Sequence, residues 1–76
     1  MDMRGLVGRN VRRLRQRSGL SQERFAEVSG FSQQYISGLE QGRRNPTVLT
    51  LHELATALGV DARELLRPRP ARAVNR

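Results

Sequence analysis

Apolar residues recur at helical spacing near the start of the chain. Between residues 6 and 18, Val7, Val11, Leu14 and Ser18 follow the i, i+4, i+7, i+11 pattern of one helical face. The opposite side takes the polar residues Arg9, Arg12, Arg13 and Gln16. The segment predicts an amphipathic first helix that ends at Gly19, since glycine is common just past helix C-termini.

Two short helices separated by a tight turn are predicted next. Ser21 is a capping residue for the helix QERFAEVS, in which Phe25 and Val28 point inward. Gly30 supplies the left-handed residue at the end of this helix. Because Ser32 is the next capping residue, a third helix follows almost at once, from about residue 33 to residue 41.

A fourth helix and a short fifth one complete the predicted fold. Thr47 caps the fourth helix and Gly59 closes it, and Asp61 and Glu64 form a capping box for the fifth. The buried stripe of the fourth helix consists of Leu51, Leu54, Ala55 and Leu58. No segment alternates with period two, so the predicted fold class is all-α, a compact five-helix bundle.

The chain divides into a folded domain and a basic tail. Residues 1–66 contain the regular apolar spacing, whereas residues 67–76, RPRPARAVNR, combine proline and arginine and are predicted to be disordered without a partner. All 14 basic residues are arginines, and the net charge is +7, of which the domain accounts for about +3. This balance suits a polyanionic partner, although a GC-rich genome explains all-arginine usage equally well.

Several classes of protein are disfavoured. The chain has no cysteine, which excludes disulfides and thiolate metal sites and is compatible with a cytoplasmic protein. No apolar run approaches the ~18 residues of a membrane span, and no signal peptide is evident. His52 has no second ligand nearby in sequence, and no carboxylate pair or phosphate loop stands at useful spacing. We therefore expect no metal, no cofactor and no enzymatic activity.

The two short helices have the residue types that a helix-turn-helix requires. Ala26 allows the helices to cross closely, and Gly30 allows the sharp turn. The large side chains that fix the angle between them are Phe25, Phe31, Ile36 and Leu39. Because Ile36 and Leu39 point inward, the third helix turns Gln34, Ser37, Gly38 and Gln41 outward and leaves Gln33 at its leading edge.

With these residues in place, the chain resembles the Cro/repressor (XRE-like) type of helix-turn-helix domain, the family of the phage lambda repressor and many bacterial regulators. The matching phrases are RRLRQRSGLSQERFAEVSG, SQQYISGLEQGRRNP and LHELATALGV, which cover roughly residues 7 to 66. The resemblance implies a lambda-repressor-like five-helix bundle whose third helix enters the major groove of double-stranded DNA. It also implies a homodimer on a near-palindromic operator.

The outward residues of the third helix are the candidates for contacts with DNA bases. A glutamine amide matches the N6 donor and N7 acceptor of adenine, so Gln33 and Gln34 are the main candidates and Ser37 and Gln41 lesser ones. Gly38 either allows close approach of the backbone to DNA or leaves one base pair unread. The plainer interpretation of the two leading glutamines is that they are soluble helix-start residues.

Phosphate contacts are expected from the start of the second helix and from the basic connector. The candidates are Ser21, Gln22, Tyr35, Arg43, Arg44 and Asn45. Gln22 is placed both to touch a phosphate and to buttress Gln33. Tyr35 either contacts phosphate through its hydroxyl or covers the core, and the two connector arginines are either phosphate contacts or ordinary solvated charges.

Two further sets of residues have structural or assembly roles. The resemblance implies an ion pair between Arg15 and Glu40, which would hold the pitch of the third helix without touching bases. The alternative is that Arg15 is one more exposed arginine. Leu49 points away from the predicted core of the fourth helix, and exposed single leucines are common. The candidate self-association surface consists of Val48, Leu49, Leu65 and Leu66.

The favoured function is sequence-specific binding of double-stranded DNA in transcription regulation, in the cytoplasm and associated with the nucleoid. The alternative is a protein-interaction module of the same fold, of the antitoxin or adaptor type, in which the bundle or the basic tail binds a protein. Binding to a membrane surface has little support, because the apolar stripe of the first helix is needed for the core.

Overall fold

The computed structural model describes residues 2–68, which form four α-helices and a final 3-10 turn. The α-helices are α1 (Met3–Arg17), α2 (Gln22–Ser29), α3 (Gln33–Glu40) and α4 (Val48–Leu58), and the 3-10 turn spans Ala62–Leu65. No strand occurs in this part of the chain. The all-α prediction is confirmed, whereas the count of five helices is wrong. The disorder and protein binding predicted for the tail fall almost wholly on residues 69–76, outside the described residues.

The predicted fifth helix is a single 3-10 turn because its capping box does not form. The Asp61 carboxylate accepts a hydrogen bond from the backbone N–H of Arg63, at 2.8 Å, two residues along the chain. The Glu64 side chain pairs with Arg67 at 3.2 Å and does not reach back to the cap. Pro68 then disfavours α-helical backbone at the residue before it, so the turn has no room to lengthen.

The other helix starts follow from local capping chemistry. Ser21, Ser32 and Thr47 each accept a hydrogen bond from the backbone N–H three residues later, as N-cap residues do. Gly30 closes α2 with φ of 84°, in the left-handed region that glycine adopts without strain. The predicted bounds of α2, α3 and α4 are therefore confirmed to within one residue.

The first helix departs from the prediction at both ends. It begins at Met3, because Asp2 caps it by accepting from the N–H of Gly5 at 3.0 Å. It ends at Arg17, and Ser18 is an exposed C-cap residue whose hydroxyl donates to the Leu14 carbonyl. The assignment of Ser18 to the buried face is therefore wrong, since the helix has already ended there.

The core lies where the four helices and the 3-10 turn meet. Its fully buried apolar side chains are Val11, Phe25, Ile36, Leu39, Leu54 and Leu65. Burying each large side chain of this kind contributes about 1.5–3 kcal/mol relative to leaving it exposed. Val28, predicted to point inward, is instead 46% exposed, and Leu65, predicted on an association surface, is buried because the last turn folds over α1 and α4.

Helices α1 and α3 approach each other very closely at Gly8, a position with no distinguishing signal in the sequence. A Cβ atom placed there would lie 2.9 Å from the Glu40 carbonyl oxygen and closer still to that of Leu39. Helix α1 can therefore meet the C-terminal end of α3 only with glycine at this position. Ala26, predicted to allow a close crossing, is buried in the core beside Phe25.

Asn10 fastens the C-terminal segment to α1. This side chain is 1% exposed, and its Nδ2 donates to the carbonyls of Leu65 and Arg67, each at 2.9 Å. Its Oδ1 accepts from Arg13 at 3.1 Å. Arg67, placed in the tail by the sequence, is therefore held against the domain. In residues 2–68, no helix has both the length and the apolarity that crossing a bilayer requires.

Candidate nucleic-acid interface

The outward face of α3 lines an open concavity of about 590 Å³. Its lining residues are Gln22, Gln33, Gln34, Ser37, Gly38, Arg43 and Arg44. Four candidates for base contact and three for phosphate contact are thus brought together from α2, α3 and the connector. Ser21, Tyr35 and Gln41 lie outside this lining, and Asn45 lines a different hollow with Met3 and Leu66.

The chemistry of this concavity suits a polyanion with hydrogen-bonding edges. Its lining presents three amides, one hydroxyl and two guanidinium groups, and it includes no carboxylate. A surface of this kind attracts phosphates through charge and offers donors and acceptors to base edges. A small acidic molecule would be attracted too, but a concavity this open would leave much of a small molecule exposed and is better matched to a DNA duplex.

Gln33 and Gln34 stand free at the N-terminus of α3. Ser32 caps the helix by accepting from the N–H of Tyr35, so the first turn is fixed without help from the glutamine side chains. Both glutamines are exposed, and neither amide hydrogen-bonds to any residue between 2 and 68. Their donors and acceptors are therefore available to a ligand.

A nearly buried ion pair supports the opposite end of α3. Nε of Arg15 lies 2.6 Å from Oε2 of Glu40, and a second guanidinium nitrogen lies 3.0 Å from Oε1, which makes the pair bidentate. The two side chains are 10% and 3% exposed. Arg15 also donates to the Leu20 carbonyl at 2.8 Å. The ion pair implied by the family resemblance is thus present and joins α1 to α3.

Gln22 belongs to this same network. Its Nε2 donates to Oε1 of Glu40 at 3.0 Å, so the side chain is held by the ion pair, whereas the sequence predicted a contact with Gln33. A primary amide has two N–H donors, and the second one is left for a phosphate oxygen. The start of α2 adds the backbone N–H groups of Gln22 and Glu23, which have no partner within the helix, whereas that of Arg24 donates to the Ser21 hydroxyl.

The connector arginine Arg44 lies along α3 at Gly38. A Cβ at Gly38 would be 3.0 Å from the Nε of Arg44 and 3.6 Å from its Cγ. The guanidinium carbon stands 5.4 Å from the ring centroid of Tyr35, and that ring stacks on Phe31 at 5.0 Å. Gly38 therefore faces a protein side chain, which neither of the two interpretations of this glycine from the sequence includes.

The same contacts explain the titration of Tyr35. Partial burial raises the pKa of the Tyr35 phenol, and the nearby charge of Arg44 acts in the opposite direction without cancelling the rise. The hydroxyl is therefore a neutral hydrogen-bond donor at physiological pH. Both interpretations of Tyr35 hold in part, because the ring is half-buried against the core and still reaches the surface.

Comparison with known proteins gives one family. The Helix-turn-helix family model matches residues 11–65. The chain is 65% identical over 68 residues to an uncharacterized HTH-type transcriptional regulator, y4dJ, of Sinorhizobium fredii, covering 90% of this chain and 88% of that protein. It is 42% identical over 66 residues to Control protein C.SmaI of Serratia marcescens, covering 87% and 79%.

Solved structures agree with the sequence matches. The restriction-modification controller protein C.AhdI from Aeromonas hydrophila superposes with a TM-score of 0.78 at 42% identity, covering 82% of this chain and 94% of that one. The hypothetical transcription factor NHTF from Neisseria superposes with a TM-score of 0.83 at 36% identity, covering 87% and 76%. The chain therefore belongs to the XRE-type helix-turn-helix family of DNA-binding transcriptional regulators.

Proposed function

We propose that this protein regulates transcription in the cytoplasm by binding double-stranded DNA sequence-specifically, with α3 in the major groove. The observation that carries the proposal is the pair of exposed, unbonded amides of Gln33 and Gln34 at the rim of a concavity without carboxylates. The similarity to HTH-type regulators and to controller proteins supports the same function.

Base contacts are assigned to the outward residues of α3. Gln33 and Gln34 offer bidentate donor and acceptor pairs, each worth about 1–3 kcal/mol of discrimination in favour of adenine. Ser37 makes a single hydroxyl contact. Gln41 is a weaker candidate, because it lies past the end of α3, outside the concavity, and its Nε2 is 3.3 Å from the Ser37 hydroxyl.

The proposed phosphate contacts lie on two sides of the outward face of α3. Ser21 and Gln22 at the start of α2 offer backbone N–H groups and the free amide N–H of Gln22. On the other side are the hydroxyl of Tyr35, the guanidinium of Arg43 and the amide of Asn45. These contacts supply most of the affinity and make it dependent on salt.

The protein acts as a homodimer on a near-palindromic operator in this proposal. Val48 and Leu49 are 84% and 64% exposed at the start of α4, and Leu66 is 42% exposed. Leu66 lines a shallow hollow with Met3 and Pro46, so exposed apolar surface extends across that side of the domain. A second copy of the chain is the occupant proposed for this surface, with the buried Leu65 no longer part of it.

Selection of bound sequences from random DNA duplexes tests the proposal. The wild-type protein is expected to enrich one motif in two half-sites. Gln33→Ala and Gln34→Ala should each relax the preference at one base position in each half-site by about 5- to 150-fold, while non-specific binding survives. Gln16→Ala is the matched control, since Gln16 is an exposed glutamine on α1 outside the concavity.

Salt titration provides a second readout. The logarithm of affinity should fall linearly with the logarithm of salt concentration, with a slope of about −0.9 for each phosphate contacted. Arg43→Ala should weaken binding to all sequences and make the slope shallower by about 1. The absence of any enriched motif for the wild-type protein would reject the sequence-specific function.

A further inference from the structure

Arg44 is oriented by contacts that an ordinary solvated arginine lacks. Its Nε and Cγ lie at 3.0 Å and 3.6 Å from the place that a Gly38 side chain would occupy. Its guanidinium stands over the ring of Tyr35, which is itself backed by Phe31. The aliphatic part of the side chain therefore rests on the glycine, and the planar head rests near an aromatic ring.

The donors of this guanidinium are not used by the protein. Between residues 2 and 68, no carboxylate pairs with Arg44 and no hydrogen bond takes up its N–H groups. By contrast, the buried Arg15 uses three nitrogens on Glu40 and Leu20. Arg44 thus combines a defined position with a complete set of free donors, facing the concavity that it helps to line.

The start of the connector is also anchored to α3. The backbone N–H of Arg43 donates to the Gly38 carbonyl at 2.9 Å, and Gly42 turns the chain with φ of 79°. The residue that follows is Arg44, so its Cα is held close to the C-terminal end of α3. The side chain then runs back along the outward face to the one position in that face with no side chain of its own.

From this geometry we infer that Arg44 reads a base, and that the base is a guanine in the major groove opposite Gly38. The inference rests on the proposed function, since it requires α3 to lie in that groove. A guanidinium has a planar fork of donors that matches the O6 and N7 acceptors of guanine. Gly38 then leaves room on α3 for the side chain of Arg44, which comes from the connector. The base pair opposite Gly38 is contacted by Arg44.

A phosphate contact, assigned to Arg44 by the sequence, would not need this arrangement. Phosphate oxygens accept from many directions, so a flexible arginine reaches them from an exposed loop without being fixed against a helix. Reading a base edge requires the plane of the guanidinium to be set, and the ring of Tyr35 and the bare helix surface at Gly38 provide that restriction.

The test compares motifs selected from random duplexes by the wild-type protein, Arg44→Ala, Gly38→Ala and Arg43→Ala. Arg44→Ala should lose a guanine preference of about 5- to 150-fold at one base pair in each half-site and keep the rest of the motif. Gly38→Ala should weaken the preference at the same base pair, because its methyl group would lie 3.0 Å from Nε of Arg44 and push that side chain out of its position by a few tenths of an ångström. Arg43→Ala is the control and should weaken all duplexes alike.

The motifs selected by these variants show whether Arg44 contacts a base. Thermal melting of every variant checks folding, and Gly38→Ala should not melt lower, since alanine is the better helix former. If Arg44→Ala weakens binding without changing the motif, Arg44 contacts phosphate and the inference is wrong. It is also wrong if Gly38→Ala changes the preference at a different base pair from Arg44→Ala. A wild-type protein that selects no motif would instead reject the proposed function itself.

Discussion

Removing the carboxylate of Glu40 should be among the most damaging single changes in this domain. The Glu40 side chain is 3% exposed, and its two oxygens accept from Arg15 at 2.6 and 3.0 Å and from Gln22 at 3.0 Å. Glu40→Ala therefore leaves the 10%-exposed Arg15 side chain with the Leu20 carbonyl as its remaining partner. The cost comes mainly from this uncompensated buried charge and much less from the lost attraction.

The expected loss is large compared with the stability of a small domain. Breaking a buried pair by removing one partner costs about 3–5 kcal/mol. Single domains are stable by only about 5–15 kcal/mol in total, and a chain of 76 residues buries a small core. With a urea m-value of about 1 kcal/mol per molar, the midpoint should fall by about 3–5 M or the variant should be unfolded without urea.

Urea titration followed by circular dichroism measures this effect, and the chain contains its own control. Arg24 and Glu27 form an ion pair at 2.8 Å, nearly as short as the buried pair, but their side chains are 63% and 59% exposed. Glu27→Ala should therefore cost less than about 1 kcal/mol, because water screens the pair and resolvates the partner. The difference between the stability losses of Glu40→Ala and Glu27→Ala therefore measures how much burial adds to the cost of breaking an ion pair.

A double variant separates charge from packing. Arg15→Met combined with Glu40→Leu removes both charges and fills similar volume, and it should recover most of the stability that Glu40→Ala loses. If Glu40→Ala unfolds at the urea midpoint of Glu27→Ala, the pair does not act as a buried charge cluster, and it does not fix the position of α3.

Three further changes probe other parts of the structure. Gly8→Ala should lower the free energy of unfolding by about 1–3 kcal/mol in the same urea assay, because its methyl group meets the backbone of α3. Gly38→Ala is the control and should not lower it, because its methyl group meets only the flexible side chain of Arg44. Arg44→Ala should raise the pKa of Tyr35 further, measured by tyrosinate absorbance. Leu49→Glu should shift the protein from dimer to monomer in sedimentation without lowering its melting temperature.

Each of these three predictions would be contradicted by a particular experimental result. Equal stabilities for the two glycine variants would mean that α1 and α3 can separate at no cost. An unchanged or lowered pKa of Tyr35 in Arg44→Ala would show that the charge does not act on this phenol. Because the folded-state pKa of the phenol is raised, wild-type stability should fall as pH rises past about 10. A dimer that persists in Leu49→Glu would move the association surface elsewhere.

The sequence could predict the helix-turn-helix because the signals for it are local. A capping serine and the N–H that it satisfies are three residues apart, as at Ser21 and Ser32. A left-handed glycine such as Gly30 needs no distant partner to be recognised. The outward placement of Gln33 and Gln34 follows from helical periodicity alone, once the inward residues of the same helix are identified.

The features that the sequence could not predict depend on contacts between distant residues. Gly8 lies inside α1, where glycine by itself only lowers helix stability. Glycine is needed there because the backbone of α3, more than thirty residues later in the chain, lies against it. Asn10 looks in sequence like any other polar residue of α1, but it is 1% exposed because two carbonyls near the end of the domain fold over it. Spacing within one helix contains no information about either partner.

The side chains that hold α3 in position and the side chains proposed to contact DNA bases are two separate groups. The side-chain amides of Gln33 and Gln34 make no hydrogen bond to residues 2–68, so replacing these side chains leaves no protein group unsatisfied and should change base preference at almost no cost in stability. Glu40 and Gly8 have the opposite character, because each fixes α3 against α1 and neither faces the concavity. The side chains of α3 that contact bases can therefore be replaced while the angle between α3 and the rest of the domain stays the same. If replacing Gln33 or Gln34 lowers the melting temperature as much as replacing Glu40, this separation of roles does not exist.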